Sequence, residues 1–256
     1  MAAYTGFAYV YDRFMADIPY QEWAELIKTK LIENDICPGT SQIVDLGCGT
    51  GMVTLMLASA GYHMTGIDNS EDMLSAANEA LCDTQDAGGK ISRRLDVVYS
   101  LQDMADFKIP YMADGIVSVC DSMNYITDEK ALQKCFKASW NALRSGGVMI
   151  FDMKKEEFYR EVLADNTYAE CLDDCAYIWN NFYNEESHIN EYDLTVFMLG
   201  NTGMYERYDE YHVQRAYNRD DVVKMLSDAG FIGISTFEHE IGGGNEERMY
   251  FIAVKP

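Results

Sequence analysis

The sequence predicts an α/β fold: a mostly parallel sheet of seven strands with helices on both faces, and an antiparallel β insertion after strand five. Three observations predict it. Short apolar runs alternate with amphipathic stretches, the rhythm of βαβ units over a parallel sheet. A glycine-rich turn, Gly47-Cys48-Gly49-Thr50-Gly51, joins one apolar run directly to a helical stretch. After Asp152 the rhythm gives way to aromatic-rich, strand-like alternation, and the βα pattern returns only near Asp220.

The elements follow in order. Residues 2–16 and 21–34 read as two helices, and 42–46 as a short apolar strand ending in the glycine turn. Residues 52–60 are helical and stop at Gly61, as helices do just before a glycine. A second strand over 63–67 ends at Asp68. Ser70, Asp72 and Met73 then supply the cap and first turn of a helix over 70–81. Strands follow over 95–99 and 115–119, then a helix over 128–143. Gly146-Gly147 turns into a fifth strand, 148–152. Within the insertion, strand-like runs lie over 177–183, 192–199 and 205–215. The turn signals between them are Asn184-Glu185-Glu186-Ser187 and Gly200-Asn201-Thr202-Gly203. A helix over 220–229, stopped by Gly230, and strands over 231–237 and 249–254 complete the sheet. The expected organisation is a main domain of 1–152 and 218–256, carrying the N-terminal helices 1–34, and an insertion of 153–217.

The 256 residues suit one large domain with an insertion, and 48% hydrophobic residues are ample for a core. No apolar run approaches the roughly 20 residues of a membrane helix. The first ten residues carry neither a basic n-region nor an h-region, so the expected location is the cytoplasm. The seven cysteines are scattered, odd in number and placed in a chain that is not small. That pattern points to reduced thiols rather than a disulfide framework. Cys171 and Cys175, four apart, can share a helix face, but no other Cys or His lies close in sequence to complete a metal site. No metal is expected. Lys and Arg number 20 against 42 Asp and Glu, a net charge of −22. Such a surface repels a polyanion and argues against nucleic acid as a partner, although acidic composition is also a common route to solubility.

The strongest chemical signal is Val44-Asp45-Leu46-Gly47-Cys48-Gly49-Thr50-Gly51. Glycines permit a tight strand-to-helix turn and let a ligand approach the backbone. The helix N-terminus behind them offers free N–H groups. Alone, such a turn is weak evidence. Asp68, at the end of the second strand, adds a carboxylate able to accept from both hydroxyls of a ribose, or else to cap the following helix.

This constellation resembles the class I S-adenosylmethionine-dependent methyltransferases, which have a Rossmann-like fold. Asp45-Leu46-Gly47-Cys48-Gly49-Thr50-Gly51 is similar to the family's first motif. Gly66-Ile67-Asp68-Asn69-Ser70-Glu71-Asp72-Met73-Leu74 is similar to its second. Gln102-Asp103-Met104 resembles the adenine-contacting element, and Asp121-Ser122-Met123-Asn124-Tyr125 lies at the fourth motif. Leu143-Arg144-Ser145-Gly146-Gly147 resembles the turn before strand five, with Ser145 in place of the usual proline. The resemblance implies roles for these residues. Gly47 and Gly49 line the methionyl end above Asp45. Asp68, followed by Asn69, holds the ribose. Asp103 accepts from the adenine amino group, the Met104 backbone bonds the ring, and Met73 and Leu74 pack on it. The Cys120 carbonyl touches the methionyl amine, and Tyr11, in Tyr11-Asp12, covers the methionine moiety. Met73, Leu74 and Met104 also read as ordinary core residues. A nicotinamide dehydrogenase is the rival on this fold, but its Gly-x-Gly-x-x-Gly spacing would place glycine where Met52 stands.

The methyl acceptor is less constrained, because in-line displacement obliges few side chains. Residues 120–125 lack the Pro-Pro-Tyr of amino-methylating DNA enzymes. The Pro-Cys of cytosine-C5 enzymes is absent too, with only a reversed Cys37-Pro38 present. The run from Glu206 to Tyr217 resembles the Glu-x-His-x-Gln-Arg segment of small-molecule and sugar-amine N-methyltransferases with a β-sheet lid. On a strand, Tyr208, Glu210, His212 and Gln214 share a face. Glu210 can then orient His212 as a proton acceptor, with Arg215 beside them, or the histidine is simply hydrogen bonded in a half-solvated sheet. Trp179, Phe182 and Tyr183 wall an acceptor pocket or merely pack. With 15 acidic and five basic side chains over 152–217, the insertion favours a neutral or cationic acceptor. The expectation is a methyltransferase acting on a small-molecule N or O acceptor. The alternatives are an RNA or protein methyltransferase and a non-catalytic S-adenosylmethionine-binding module.

Overall fold

A computed structural model describes residues 19–86, 94–200, 202–241 and 247–256. The helix expected over 2–16, with Tyr11, lies outside these. Strand β1 (Gln42–Leu46) is buried along almost its whole length, as a central parallel strand covered on both faces must be. It pairs in parallel with β2 (His63–Asp68) on one side and β4 (Ala113–Ser118) on the other. Strand β3 (Val97–Leu101) continues beyond β2, and β5 (Leu143–Lys154) beyond β4. Strand β11 (Arg248–Val254) runs antiparallel to β5, and β10 (Ile232–Glu238) antiparallel to β11. The spatial order is β10-β11-β5-β4-β1-β2-β3.

Side-chain alternation on the central strands makes two cores. Met149 and Phe151 point to one face of β5, while Val148 and Ile150 point to the other. Helices α4 (Glu129–Ala142) and α5 (Arg219–Ala229) cover the first face, packing Leu132, Phe136 and Leu226 on Phe151 and Phe251. Helices α1 (Tyr20–Glu33) and α2 (Met52–Ser59), with α3 (Glu71–Asp86) beside them, cover the second. Caps set where the helices on the first face begin. The Asp128 carboxylate accepts from the N–H groups of Lys130 and Ala131, and Asn218 accepts from that of Asp220.

The insertion forms a second sheet of four antiparallel strands, ordered β6 (Thr167–Cys171), β7 (Cys175–Asn184), β8 (Ile189–Leu199) and β9 (Tyr205–Arg215). A π-helical turn, Phe158–Leu163, leads into it. Both β6 and this turn are additions to the sequence expectation, which had three strands here. Cys171 and Cys175 do not share a helix face: one closes β6 and the other opens β7, across a hairpin where Cys171 pairs with Ala176. Strand β3 lies two residues later than expected, with register set by Met64 opposite Val97. Helix α3 runs on to Asp86 rather than stopping at Leu81. Strand β5 begins at Leu143, because Leu143 pairs with Ala113 before a register shift takes up the Gly146-Gly147 bend. Among the described residues no helix is long and apolar enough to cross a membrane.

The Phe151 and Phe251 rings stack at 4.8 Å in the centre of the first core, both almost wholly buried. Phe151→Ala is expected to cost about 3–5 kcal/mol of unfolding free energy, measured by urea denaturation. A loss below about 1 kcal/mol would show that this core is not the one that holds the sheet.

Candidate active site

The cleft lies at the carboxyl ends of β1, β2 and β4. Gly47 and Gly49 both hold positive φ, +70° and +54°. A Cβ on Gly47 would meet the Ser122 Cβ at 2.6 Å, so this position closes the floor. A Cβ on Gly49 would meet nothing within 4 Å, so here the backbone itself faces open space. Beneath the loop, buried Asp45 accepts from the Thr54 hydroxyl at 2.5 Å. Burial pushes the Asp45 carboxyl up to about 6, against the Thr54 hydrogen bond and with a contribution from Asp68.

Asp68 ties the second strand to the glycine loop. One carboxylate oxygen accepts from the Gly49 N–H at 2.8 Å and the other from the Ser70 N–H at 2.9 Å. Burial raises its pKa against the backbone donors of Ser70, Gly49 and Asn69. Ser70 in turn caps α3 by accepting from the Met73 N–H. The two readings of Asp68 therefore coexist: it orders the start of the helix and still presents a carboxylate to the cleft. An ionised carboxylate offers about four lone-pair sites. The backbone donors leave lone-pair capacity on the cleft side for a hydroxyl of a diol.

The cleft holds about 370 Å³. Asp45, Gly47, Gly49, Asp68, Asn69, Met73, Met104 and Cys120 all line it. Leu74 is buried in the α3 packing and is not part of the lining. Asp103 is exposed and turns its carboxylate back to the Ala105 N–H, so only its neighbour Met104 lines the cleft. Apolar Met73 and Met104 beside polar Asp68 and Asn69 suit a ligand with a flat ring and a diol. A larger groove of about 670 Å³ lies elsewhere, between α4, α5 and the end of β9, and contains none of these residues.

Ser122 and Tyr125, on the turn after β4, line the cleft together with Cys120. The Tyr125 hydroxyl lies 3.1 Å from His212 Nδ1 and 2.8 Å from the Tyr192 hydroxyl. The imidazole stacks on Tyr192 at 4.5 Å. Burial depresses the His212 pKa to about 4, against the pull of Asp121, so the ring is neutral near pH 7. Glu210 is buried two residues away on the same face of β9. Arg215 is not brought to this cleft. It sits on the opposite face of β9, in the larger groove, with Glu129 at 2.6 Å and the Thr127 carbonyl as partners. A strand places alternate residues on opposite faces, so proximity in sequence to His212 could not put Arg215 beside it. Of the expected pocket wall, Tyr183 is buried, Trp179 half-buried and Phe182 exposed. Tyr125 and Tyr192 are not announced by the sequence: Tyr125 meets Tyr192 across 67 residues of chain and His212 across 87.

A model of the family described as "Methyltransferase domain" matches residues 43–147. The "Putative methyltransferase YqeM" of Bacillus subtilis is 32% identical, over 98% of this chain and 97% of its own. An S-adenosylmethionine-dependent methyltransferase from Clostridium acetobutylicum, of known crystal structure, is 29% identical with a TM-score of 0.83, covering 98% of both chains. The sugar N-methyltransferase KedS8 from Streptoalloteichus has a TM-score of 0.74 at 17% identity, covering 100% of this chain and 94% of its own. That similarity is one of fold.

A neutral buried imidazole has a pH signature. An unfolded histidine protonates near 6.5 and folded His212 only near 4. Stability from this group is complete above about pH 6.5 and lost as pH falls towards 4. Asp45 and Asp152, both raised to about 6, act in the opposite sense. The Tm difference between the parent and His212→Phe, followed from about pH 8 down to about pH 4, isolates the histidine. The parent's advantage should shrink as pH falls; a difference independent of pH would contradict a neutral buried ring.

Proposed function

The chain belongs to the class I S-adenosylmethionine-dependent methyltransferases, and we propose that within that family it methylates a nitrogen or oxygen of a small molecule. S-adenosylmethionine supplies an electrophilic methyl group on a sulfonium, open to in-line displacement. The chain's own residues then have to bind, align and keep water out.

In this reading Asp68 accepts from the ribose hydroxyls with the lone pairs its backbone donors leave. Gly49 lets the ligand reach the loop backbone, and Asn69 lies beside Asp68. Met73 and Met104 pack against the adenine, and the Cys120 carbonyl faces the amino-acid end with Gly47 and Asp45 below. Asp103, exposed and bonded to Ala105, would reach the adenine amino group only by releasing that contact.

The observation that carries the acceptor assignment is the Tyr125–His212 pair at the cleft. With Nδ1 unprotonated, His212 accepts from the Tyr125 hydroxyl, whose oxygen keeps a lone pair for an N–H or O–H of the acceptor. Glu210, on the same face, is placed to steady the ring or to meet a cationic group. A neutral imidazole can take up the proton released when an amine or hydroxyl is alkylated. The charge of −22 supports a neutral or cationic acceptor over a polyanion. KedS8, which shares the fold, is by its description a sugar N-methyltransferase.

Two measurements test this. Asp68→Ala should weaken S-adenosylhomocysteine binding by about a hundredfold in isothermal titration, the loss of hydrogen bonds to a charged group; unchanged affinity would remove Asp68 from the site. A screen of amines and hydroxyl compounds, read by S-adenosylhomocysteine release, should find a turned-over acceptor. With that acceptor, Tyr125→Phe and His212→Asn should lower kcat by about 10- to 100-fold. Tight, salt-sensitive RNA binding with no small-molecule turnover would sink the proposal.

A further inference from the structure

A buried charged cluster joins the two sheets, and the chemistry above does not use it. At its centre is Asp121, at the start of the turn after β4. Its Oδ1 pairs with Arg248 Nη2 at 2.6 Å and its Oδ2 with Lys154 Nζ at 3.2 Å. Oδ2 also accepts from Gln214 Nε2 at 2.7 Å. Arg248 Nε pairs with Asp152 at 2.8 Å, and Asp152 accepts from the Asp121 N–H. The carbonyl oxygen of the Gln214 side chain accepts from the Tyr159 hydroxyl at 3.1 Å. Against the penalty of burial, Lys154 and Arg248 hold Asp121 below the usual carboxylate range.

This cluster holds an unusual backbone. Cys120 and Asp121 are consecutive non-glycine residues with φ of +60° and +56°. Such left-handed backbone is strained for residues with a side chain and persists only where its surroundings enforce it. The enforced turn carries Cys120 and Ser122 into the cleft wall. The Ser122 hydroxyl also reaches back to the Gly47 and Val119 carbonyls. Gln214 is the member of the cluster contributed by the antiparallel sheet, two residues beyond His212 on the same face of β9. It does not line the cleft.

We propose that Gln214 is a positioning residue: through its bond to Asp121 it carries the placement of β9 into the shape of the Cys120–Asp121 turn, and so couples the acceptor side to cofactor affinity. The inference rests on the assignment of the cleft as the S-adenosylmethionine site. Such coupling is reciprocal, so a ligand that fixes β9 tightens the cofactor and the cofactor tightens that ligand.

The test is isothermal titration of the full chain with S-adenosylhomocysteine. Gln214→Leu removes the amide and should weaken binding about tenfold, the effect of one hydrogen bond to a charged group. Tyr159→Phe, which keeps the volume, should weaken it in the same direction but less. Val196→Ala loosens the apolar cluster of Cys175, Val196 and Met198 within the insertion, away from the turn, and should leave affinity unchanged. Gln214→Glu supplies a distinctive readout. Protonated, it donates to Asp121; ionised, it repels it. Its affinity should therefore recover as pH falls, relative to the parent measured alongside to cancel Asp121, Asp152, Lys154, Arg248, Tyr159 and His212. If the parent binds and Gln214→Leu binds equally well, or if Val196→Ala weakens binding as much as Gln214→Leu, the coupling is wrong. If the parent itself does not bind, the cleft assignment fails instead. Should Gln214→Leu not fold, Tyr159→Phe and the pH profile of Gln214→Glu decide alone.

Discussion

Strands β1 and β4 lie side by side, yet the chain leaves them towards opposite faces. After β1 it crosses to α2 on the face that packs Leu57 and Ile43; after β4 it crosses to α4 on the face that packs Phe136 and Phe151. Parallel neighbours whose connections diverge leave a crevice at their carboxyl ends, and ligands of open α/β sheets bind there. The remaining features of the site answer to that crevice. The glycine turn at 47–51 forms one lip and the turn at 119–125 the other. Gly47 has no side chain because Ser122, from the opposite lip, occupies that space. Asp68, one strand over, braces the first lip through the Gly49 N–H.

The two lips differ in how they are held. The first is local: Asp45 with Thr54, and Asp68 with Gly49 and Ser70, lie within 20 residues of one another. The second is held from a distance, by Arg248, Lys154 and Gln214 on three other strands. A carboxylate buried without such partners would cost far more than the turn could repay. Arg248 is stabilised in turn: its charge is opposed by burial but favoured by Asp121 and Asp152, so its pKa stands above the ordinary value. The second lip also carries Tyr125, so the same turn lines the crevice and meets His212.

That difference explains what the sequence made legible. The parallel sheet, the glycine turn, Asp68 and Asn69 could be read because their partners lie one βα unit away and their spacing is fixed by strand and helix geometry. The antiparallel insertion was legible from alternation and turn residues in β7, β8 and β9. Strand β6 was not, since Thr167–Cys171 is an exposed edge strand with no buried face to pattern it. Arg215 was misplaced by neighbourhood in sequence, which a strand's alternation defeats. Asp121 was marked only by its place after strand four. Its partners Gln214 and Arg248 lie 93 and 127 residues away, and no local pattern announces such a pair. Tyr125 and Tyr192 escaped for the same reason.

The inner face of the antiparallel sheet carries this further. Rows of residues opposite one another bring Asn181, Tyr192 and His212 together, and beside them Tyr183, Asn190 and Gln214. Asn181, Asn190, Glu210, His212 and Gln214 are all buried there. A sheet selected only for stability would fill these positions with aliphatic residues, because each buried polar group must be hydrogen bonded merely to break even. The insertion's apolar clusters among the described residues are small: Cys175, Val196 and Met198 in one, and Tyr159, Leu163, Tyr183 and Ala216 in the other. The sheet docks on the parallel domain through Asn124 to the Arg215 carbonyl, Gln214 to Asp121, and Tyr125 to His212. Every one of those contacts falls on the second lip of the crevice. The antiparallel sheet is thus held by the wall of the crevice.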